Sequence, residues 1–227
     1  MIDTCKVANC KTISYLKIVS AGDYVKFGFP MAAMTTQLAW GAISFQMGYE
    51  AANQMKYIKE CLQWATDYFI AAHTAEDKFY GQIGEGQADH SYWGRPEDMT
   101  MNRPAWFINS SAPGSELAGE TAAALAAASI FYKNIGEDSL ARDALRHARE
   151  LFDLANNFRG KYTNTIPNAQ SFYEYNRQVS TISIHSFVNS FSFQLLEWIL
   201  RRACMGCGLA RKGHGGGQLL QHCRQPL

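Results

Sequence analysis

Apolar positions through the middle of the chain follow a helical period. Met55, Ile58, Leu62, Ala65 and Phe69 recur at steps of 3, 4, 3 and 4, which lines one face of a helix from about Asn53 to His73. Tyr57, Cys61, Trp64 and Tyr68 form a second stripe beside the first, so this helix is expected to be buried over a wide arc. A second helix is expected from Ser115 to about Asn134, where SELAGETAAALAAASIFYKN combines alanines of high helix propensity with a Ser as candidate N-cap and Gly136 just past the end. A third runs from about Asp138 to Phe158, with Ala141, Leu145, Ala148, Phe152 and Ala155 on one face.

Between the first and second of these helices, Thr74 to Gly114 is a long irregular stretch rich in Gly, Asp, His and aromatic residues. A loop of that length inside a compact domain is usually functional or disordered. Its composition, with Tyr80, His90, Tyr92, Trp93 and Trp106, argues against disorder. The simplest architecture is all-α, an array of packed helix pairs whose connecting loops build a surface at one end. The chain changes character near Tyr173. Residues 174–227 hold six Lys/Arg against two Asp/Glu, whereas residues 1–173 hold 15 against 18. The final ACMGCGLARKGHGGGQLLQHCRQPL is Gly/Gln/His-rich without a clear period, and is expected to be a separate, poorly ordered segment.

Composition narrows the function classes. The 227 residues are 47% hydrophobic, enough for a sizeable core in one large domain or two small ones. Net charge is +1 and only 18% of residues are charged, so nothing points to nucleic acid, an anionic membrane or a polyanionic substrate. A neutral ligand fits better. The aromatic content of 13% suits a protein that binds flat apolar faces, although a well-packed core uses the same residues. The first 30 residues carry no apolar run of signal-peptide length, being interrupted by Asp3, Lys6, Lys11 and Lys17, so no secretion route is visible and the compartment stays open. No run of roughly 18 apolar residues predicts a membrane span. Six cysteines, with only Cys61 between Cys10 and Cys204, are not the framework of a small disulfide-stapled domain.

Three places carry candidate chemistry. In SAGD, Gly22 lets a tight turn present Asp23 at the start of the next element. Such an Asp can act as a general base on water if a partner acid sits across the scissile bond, and it can equally be a turn or capping residue. In GQIGEGQADHSYWGRPEDMTMNRP, Asp89, His90, Tyr92, Trp93, Arg95, Glu97 and Asp98 crowd polar groups around an aromatic platform. Sugars are bound in this way, stacking on Trp or Tyr while their hydroxyls take paired donors and acceptors. Alternatively His90 and Arg95 are ion-paired with Asp89, Glu97 or Asp98 simply to fix the loop. In the tail, Cys204 and Cys207 have the C-x2-C spacing of a zinc site, but His214, His222 and Cys223 complete no common ligand spacing, so no metal is assigned there.

Longer segments carry a resemblance. AGDYVKFGFPMAAMTTQLAWG, GYEAANQMKYIKECLQWATDYFIAAHT, FYGQIGEGQADHSYWGRPEDMTMNRP, PGSELAGETAAALAAASIFYKN and FRGKYTNTIPNAQSFY resemble the amino-terminal half of the catalytic domain in glycoside hydrolase family 9 cellulases of the animal endoglucanase type. The resemblance covers about Ala21 to Tyr173. It implies part of an (α/α)6 barrel of the six-hairpin glycosidase type, an open cleft across the loop end, and inverting endo-hydrolysis of β-1,4-glucan such as cellulose or cello-oligosaccharides. The family's DAGD motif holds the nucleophilic water with two aspartates. Asp23 matches the second, the general base, while the first is replaced by Ser20, whose hydroxyl can bond a water but cannot take its proton at neutral pH. His90 and Trp93 match residues lining the glycone side of the cleft, and Phe172 and Tyr173 match an aromatic pair near the cleavage point.

The departures are as specific. No segment resembles the surroundings of the family's general acid Glu, or its His- and Arg-containing motifs, so this chain supplies at most one of the two groups an inverting glycosidase needs. The calcium-ligating segment that follows the aromatic pair in many members is replaced by EYNRQVSTISIHSF, so neither calcium nor another cofactor is expected. The chain therefore divides into a divergent segment 1–19, a partial catalytic domain 20–173 and an unrelated tail 174–227. Expected partners are β-1,4-glucans, with neither nucleic acid nor a membrane, and the oligomeric state is left open. On this resemblance the chain is a cellulase by family, weak or inactive as it stands; the alternatives are a non-catalytic glucan-binding remnant and a non-functional isoform.

Overall fold

The computed structural model describes residues 23–95 and 98–173. In chain order its elements are β1 (Lys26–Phe27), α1 (Gly28–Ser44), α2 (Gln46–Ala51), α3 (Met55–Ala72), β2 (His73–Ala75), β3 (Lys78–Ile83), α4 (Gly86–Ser91), β4 (Ala105–Asn109), α5 (Ser115–Asn134), α6 (Asp138–Asn157), α7 (Tyr162–Thr165), a 3-10 turn (Pro167–Ala169) and α8 (Gln170–Tyr173).

Helix α5 is the centre of the packing. Every residue from Ser115 to Tyr132 is buried, and its run of alanines lets α1 and α6 approach closely while α3 closes a further side. A helix apolar all round has no solvent face, which is why its sequence lacks the stripe seen in α3 and α6. Several polar groups trapped here are paired: Thr36 of α1 donates to Glu120 Oε1 at 2.9 Å, and the Thr66 and Tyr132 hydroxyls lie 2.9 Å apart between α3 and α5. The end of α5 has the expected glycine, Gly136 at φ +82°. Gly136 N–H donates to Lys133 O and Glu137 N–H to Tyr132 O, the paired bonds of a Schellman motif.

Two expectations on the helices change. Ser115 does not cap α5 through its side chain. The helix begins at Ser115 itself, whose hydroxyl donates to Phe158 O and accepts from Gly160 N–H, tying the start of α5 to the end of α6. On α3 the predicted first stripe is buried at Ile58, Leu62 and Phe69, but of the second only Tyr68 is. Tyr57 is 58% exposed, Trp64 50%, and Cys61 is also exposed. Periodicity marks that stripe as apolar; it does not say whether a neighbour covers it, and none of the described elements does.

The stretch from Thr74 to Gly114 is more ordered than its composition suggested. β3 pairs antiparallel with β1 (Lys26↔Ile83), β2 (His73↔Phe79) and, on its other edge, β4 (Phe79↔Ile108, Ile83↔Ala105). The small sheet was not legible because β3 is buried along nearly its whole length and carries a central Gly, so it shows no polar–apolar alternation. The architecture is helical with this sheet added at one end. No helix among the described residues is long and apolar enough to cross a membrane.

Candidate active site

The far end of β3 gathers the predicted site residues. Asp23 enters β1, and the pairing of Lys26 with Ile83 sets it beside the turn from β3 into α4. That turn is capped by Glu85, whose carboxylate accepts from Ala88 N–H and Gln87 N–H; the Ala88 N–H above all, joined by the Asn168 amide and the Gln87 N–H, holds its pKa below the ordinary carboxyl value. A correctly started α4 then presents Asp89 and His90 toward Asp23.

His90 Nε2 lies 3.9 Å from Asp23 Oδ2, and both side chains remain partly open to solvent. The other ring nitrogen, Nδ1, is 2.8 Å from Gly86 O. A carbonyl only accepts, so Nδ1 carries the proton and Nε2 of the neutral ring is left as an acceptor facing the Asp23 side. Asp89 lies beneath. It is buried, its carboxylate turned toward the backbone of Val25 and Tyr24, and Oδ2 has no hydrogen-bond partner among the described residues. Burial raises its pKa, and the negative charge of Asp23 adds to the rise. Asp89 thus braces the two residues that follow Asp23, and Arg103 adds a second brace through a 2.8 Å bond to Tyr24 O.

Phe172 and Tyr173 reach the same place from the end of the described chain. The Phe172 ring is 4.9 Å from the His90 ring and 5.2 Å from Phe27, while Tyr173 meets Phe27 edge-on at 4.9 Å. Asn168 positions this arm. Its side chain accepts from Gly86 N–H at 3.0 Å and from Gln82 Nε2, and donates to Glu85 Oε1, linking the 3-10 turn to β3 and α4. Phe172 lies so close to α4 that a Cβ on Gly86 would fall 2.4 Å from its ring. Trp93, just beyond α4, is fully solvent-exposed, in contrast to its neighbour Tyr92, which packs edge-on against Tyr24 at 5.8 Å.

The structure therefore brings Asp23, His90, Phe172 and Tyr173 into one group, with Trp93 standing free at its side. Ser20, Gly22 and Glu97, the segment after Tyr173 expected to replace the family's calcium ligands, and the Cys/His tail lie outside the described residues. The alternative that His90 is held in an ion pair with Asp89 gives way to its bond with Gly86 O and its approach to Asp23. Sequence reasoning missed the supports: Asn168, Arg103 and Phe27 act across dozens of residues, and no local spacing announces them. Asp89 was visible only as one of several loop acids. Asp23, Asp89 and His90 offer ligand atoms within 4.8 Å of one another, but the backbone-facing Asp89 suits bracing better than coordination.

Comparison with known proteins places the chain in a family. The model of glycosyl hydrolase family 9 matches residues 19–182. Endoglucanase 5 of Arabidopsis thaliana is 50% identical over 153 residues, which is 67% of this chain and 24% of that protein. Among solved structures, the endoglucanase of the termite Nasutitermes takasagoensis superposes with a TM-score of 0.67 at 44% identity, covering 87% of this chain and 45% of that one. The cellulase Cel9M of C. cellulolyticum, solved with cellobiose, gives 0.64 at 32% identity over 77% and 42%. The chain spans about a quarter of the length of the curated relatives it matches. Its described helices are part of an (α/α)6 barrel, and with a family match across most of its length the chain belongs to glycosyl hydrolase family 9.

Proposed function

We propose that this chain is the glucan-binding and base-bearing part of an endo-1,4-β-glucanase, with residues 20–173 as its partial catalytic domain. Asp23 is the general base that takes a proton from water, and Ser20 stands where a second aspartate would share the task. His90, through its acceptor Nε2, takes a sugar hydroxyl, while Phe172, Tyr173 and Trp93 give glucose rings apolar faces to stack on. The observation that carries this reading is the convergence of Asp23, His90 and Phe172, from three separate parts of the chain, on one partly open face. The substrate class is a neutral β-1,4-glucan, in keeping with the near-zero net charge and with the cellobiose held by the related Cel9M.

The 227-residue polypeptide alone is expected to hydrolyse this substrate weakly or not at all. Ser20 weakens water activation, and no segment resembles the surroundings of the family's general acid. Release of reducing ends from carboxymethylcellulose by the purified chain tests this. Turnover matching that of a full-length family 9 enzyme, abolished by Asp23→Ala, would refute weak activity and leave the base assignment standing.

A second reading, a non-catalytic glucan-binding remnant, is favoured by the complete exposure of Trp93 together with the packed arm of Phe172 and Tyr173. Calorimetry with cellopentaose separates the two. Binding without hydrolysis, lost in Trp93→Ala, belongs to the remnant, and the absence of both activities belongs to a non-functional isoform.

A further inference from the structure

At the other end of β3 from Asp23, two buried imidazoles and a carboxylate converge. His73 ends α3 and opens β2, where it pairs with Phe79 at the start of β3. His147 and Glu150 stand one turn apart on α6. His73 Nδ1 is 2.7 Å from His147 Nδ1 and 3.7 Å from Glu150 Oε2, and His147 Nδ1 is 3.9 Å from that same oxygen. The point equidistant from the corners of this triangle lies about 2.0 Å from each, the length of a zinc–imidazole or zinc–carboxylate bond.

A pair of hydrogen-bonded histidines explains only part of this arrangement. The Arg146 guanidinium approaches His147 Nε2 at 2.7 Å and can only donate, so that nitrogen is unprotonated and His147 Nδ1 carries the hydrogen that His73 Nδ1 accepts. Glu150 Oε2, at 3.7 and 3.9 Å, bonds to neither ring, yet it faces both. Burial holds both imidazoles below their ordinary pKa, for His147 with the Arg146 charge acting in the same direction and for His73 against an opposing pull from the Glu76 backbone and Glu150. With His147 Nε2 facing a donor and His73 Nδ1 accepting, each ring has one unprotonated nitrogen and is neutral in this arrangement, the state in which imidazole ligates metals. Two nitrogens and one carboxylate oxygen suit a borderline ion, whereas calcium and magnesium take oxygen shells.

We propose that His73 Nδ1, His147 Nδ1 and Glu150 Oε2 form a zinc-binding site that staples the end of α3 to α6, with water in the remaining position. On uptake the His147 proton moves from Nδ1 to Nε2. Arg146 gives up that acceptor and keeps Asp143 Oδ1 at 2.8 Å and Glu150 Oε1 at 3.3 Å. Glu150, the most exposed of the three ligands, leaves the way in from solvent.

The test uses the full chain, stripped of metal with a chelator and titrated with zinc sulfate by calorimetry. Co2+ serves as a spectroscopic substitute, and each measurement is repeated on His147→Ala and Glu150→Gln. The expected result is one equivalent of zinc that raises the wild-type melting midpoint, with nitrogen- and oxygen-type visible bands from Co2+ at that equivalent. Both variants should bind at that site at least about tenfold more weakly. If His147→Ala does not fold, Glu150→Gln decides, because it preserves the size of the side chain and the histidine pair. Wild type that binds no zinc, variants that keep the wild-type affinity and midpoint shift, or Co2+ bands dominated by thiolate charge transfer would overturn the proposal, the last assigning the ion to the tail cysteines.

Discussion

Glu116 shows how much one buried carboxylate can shape stability. It sits in the first turn of α5, where Oε1 accepts from Tyr162 N–H at 2.9 Å while Oε2 is buried without a hydrogen-bond partner among the described residues. Burial raises its pKa above the ordinary value, outweighing the Tyr162 N–H and Lys161, which pull it down. A raised carboxyl pKa means that the folded state holds the proton more tightly than the unfolded chain. The protein is then most favoured below the unfolded pKa and loses stability as pH rises toward the folded one. Glu116→Gln keeps an acceptor for Tyr162 and removes the titration. Thermal melts of the two proteins should diverge in the variant's favour as pH rises from the acid side, because the wild type loses stability on ionising Glu116 and the variant does not; parallel melting profiles across pH would refute this. Gly86 acts at the same scale on the candidate site. A methyl group there must push Phe172 off α4. Gly86→Ala is expected to weaken cellopentaose binding about fivefold, equivalent to about 1 kcal/mol of lost stacking, with little change in melting temperature.

At the scale of elements, helix boundaries owe more to backbone geometry than to side-chain caps. The start of α5 has no side-chain cap on its Gly114 N-cap, and its end is set by Gly136 in the left-handed region with open space around it. Because nothing would clash with a Cβ there, Gly136→Ala isolates the cost of the conformation. A loss of about 1 kcal/mol in chemical denaturation is expected, with no change in glucan binding. Helix existence and extent were legible in α3, α5 and α6, from repeating apolar positions in the first and last and from helix-favouring alanines in α5, whereas on α6 the buried face is set by Ala144, His147, Leu151 and Leu154 beside the predicted Ala141, Ala148 and Ala155. The sheet was not legible, since its strands are short and β3 is buried on both faces. The site stands between these cases. Asp23, His90, Phe172 and Tyr173 were each identifiable from their segments, but the joints that unite them, Asn168 across to Gln82 and Gly86 and Arg103 across to Tyr24, exist only once β3 has brought distant backbone together.

At the scale of the molecule, the described helices leave apolar surface uncovered. Met34 and Leu38 on α1, Phe45 at its end, and Tyr57 and Trp64 on α3 are all substantially exposed. Large apolar side chains left in water in this number favour association. The purified chain should bind an apolar fluorescent dye, and Leu38→Gln combined with Trp64→Gln should reduce that signal by about half without lowering the melting temperature; an unchanged signal would show that these stripes are covered in solution. By itself the sequence determined the helical class, the family, and which side chains could meet a sugar, because periodicity and long ordered motifs are local properties of the chain. Only the tertiary structure decided that Asp23 and His90 gather at one end of β3 and His73 at the other, that Asp89 turns to the backbone of Tyr24 and Val25, and that three of the four residues in a predicted second stripe face outward. Each of those depends on which distant backbone comes to lie alongside, and spacing along a single strand or helix carries no record of its neighbours.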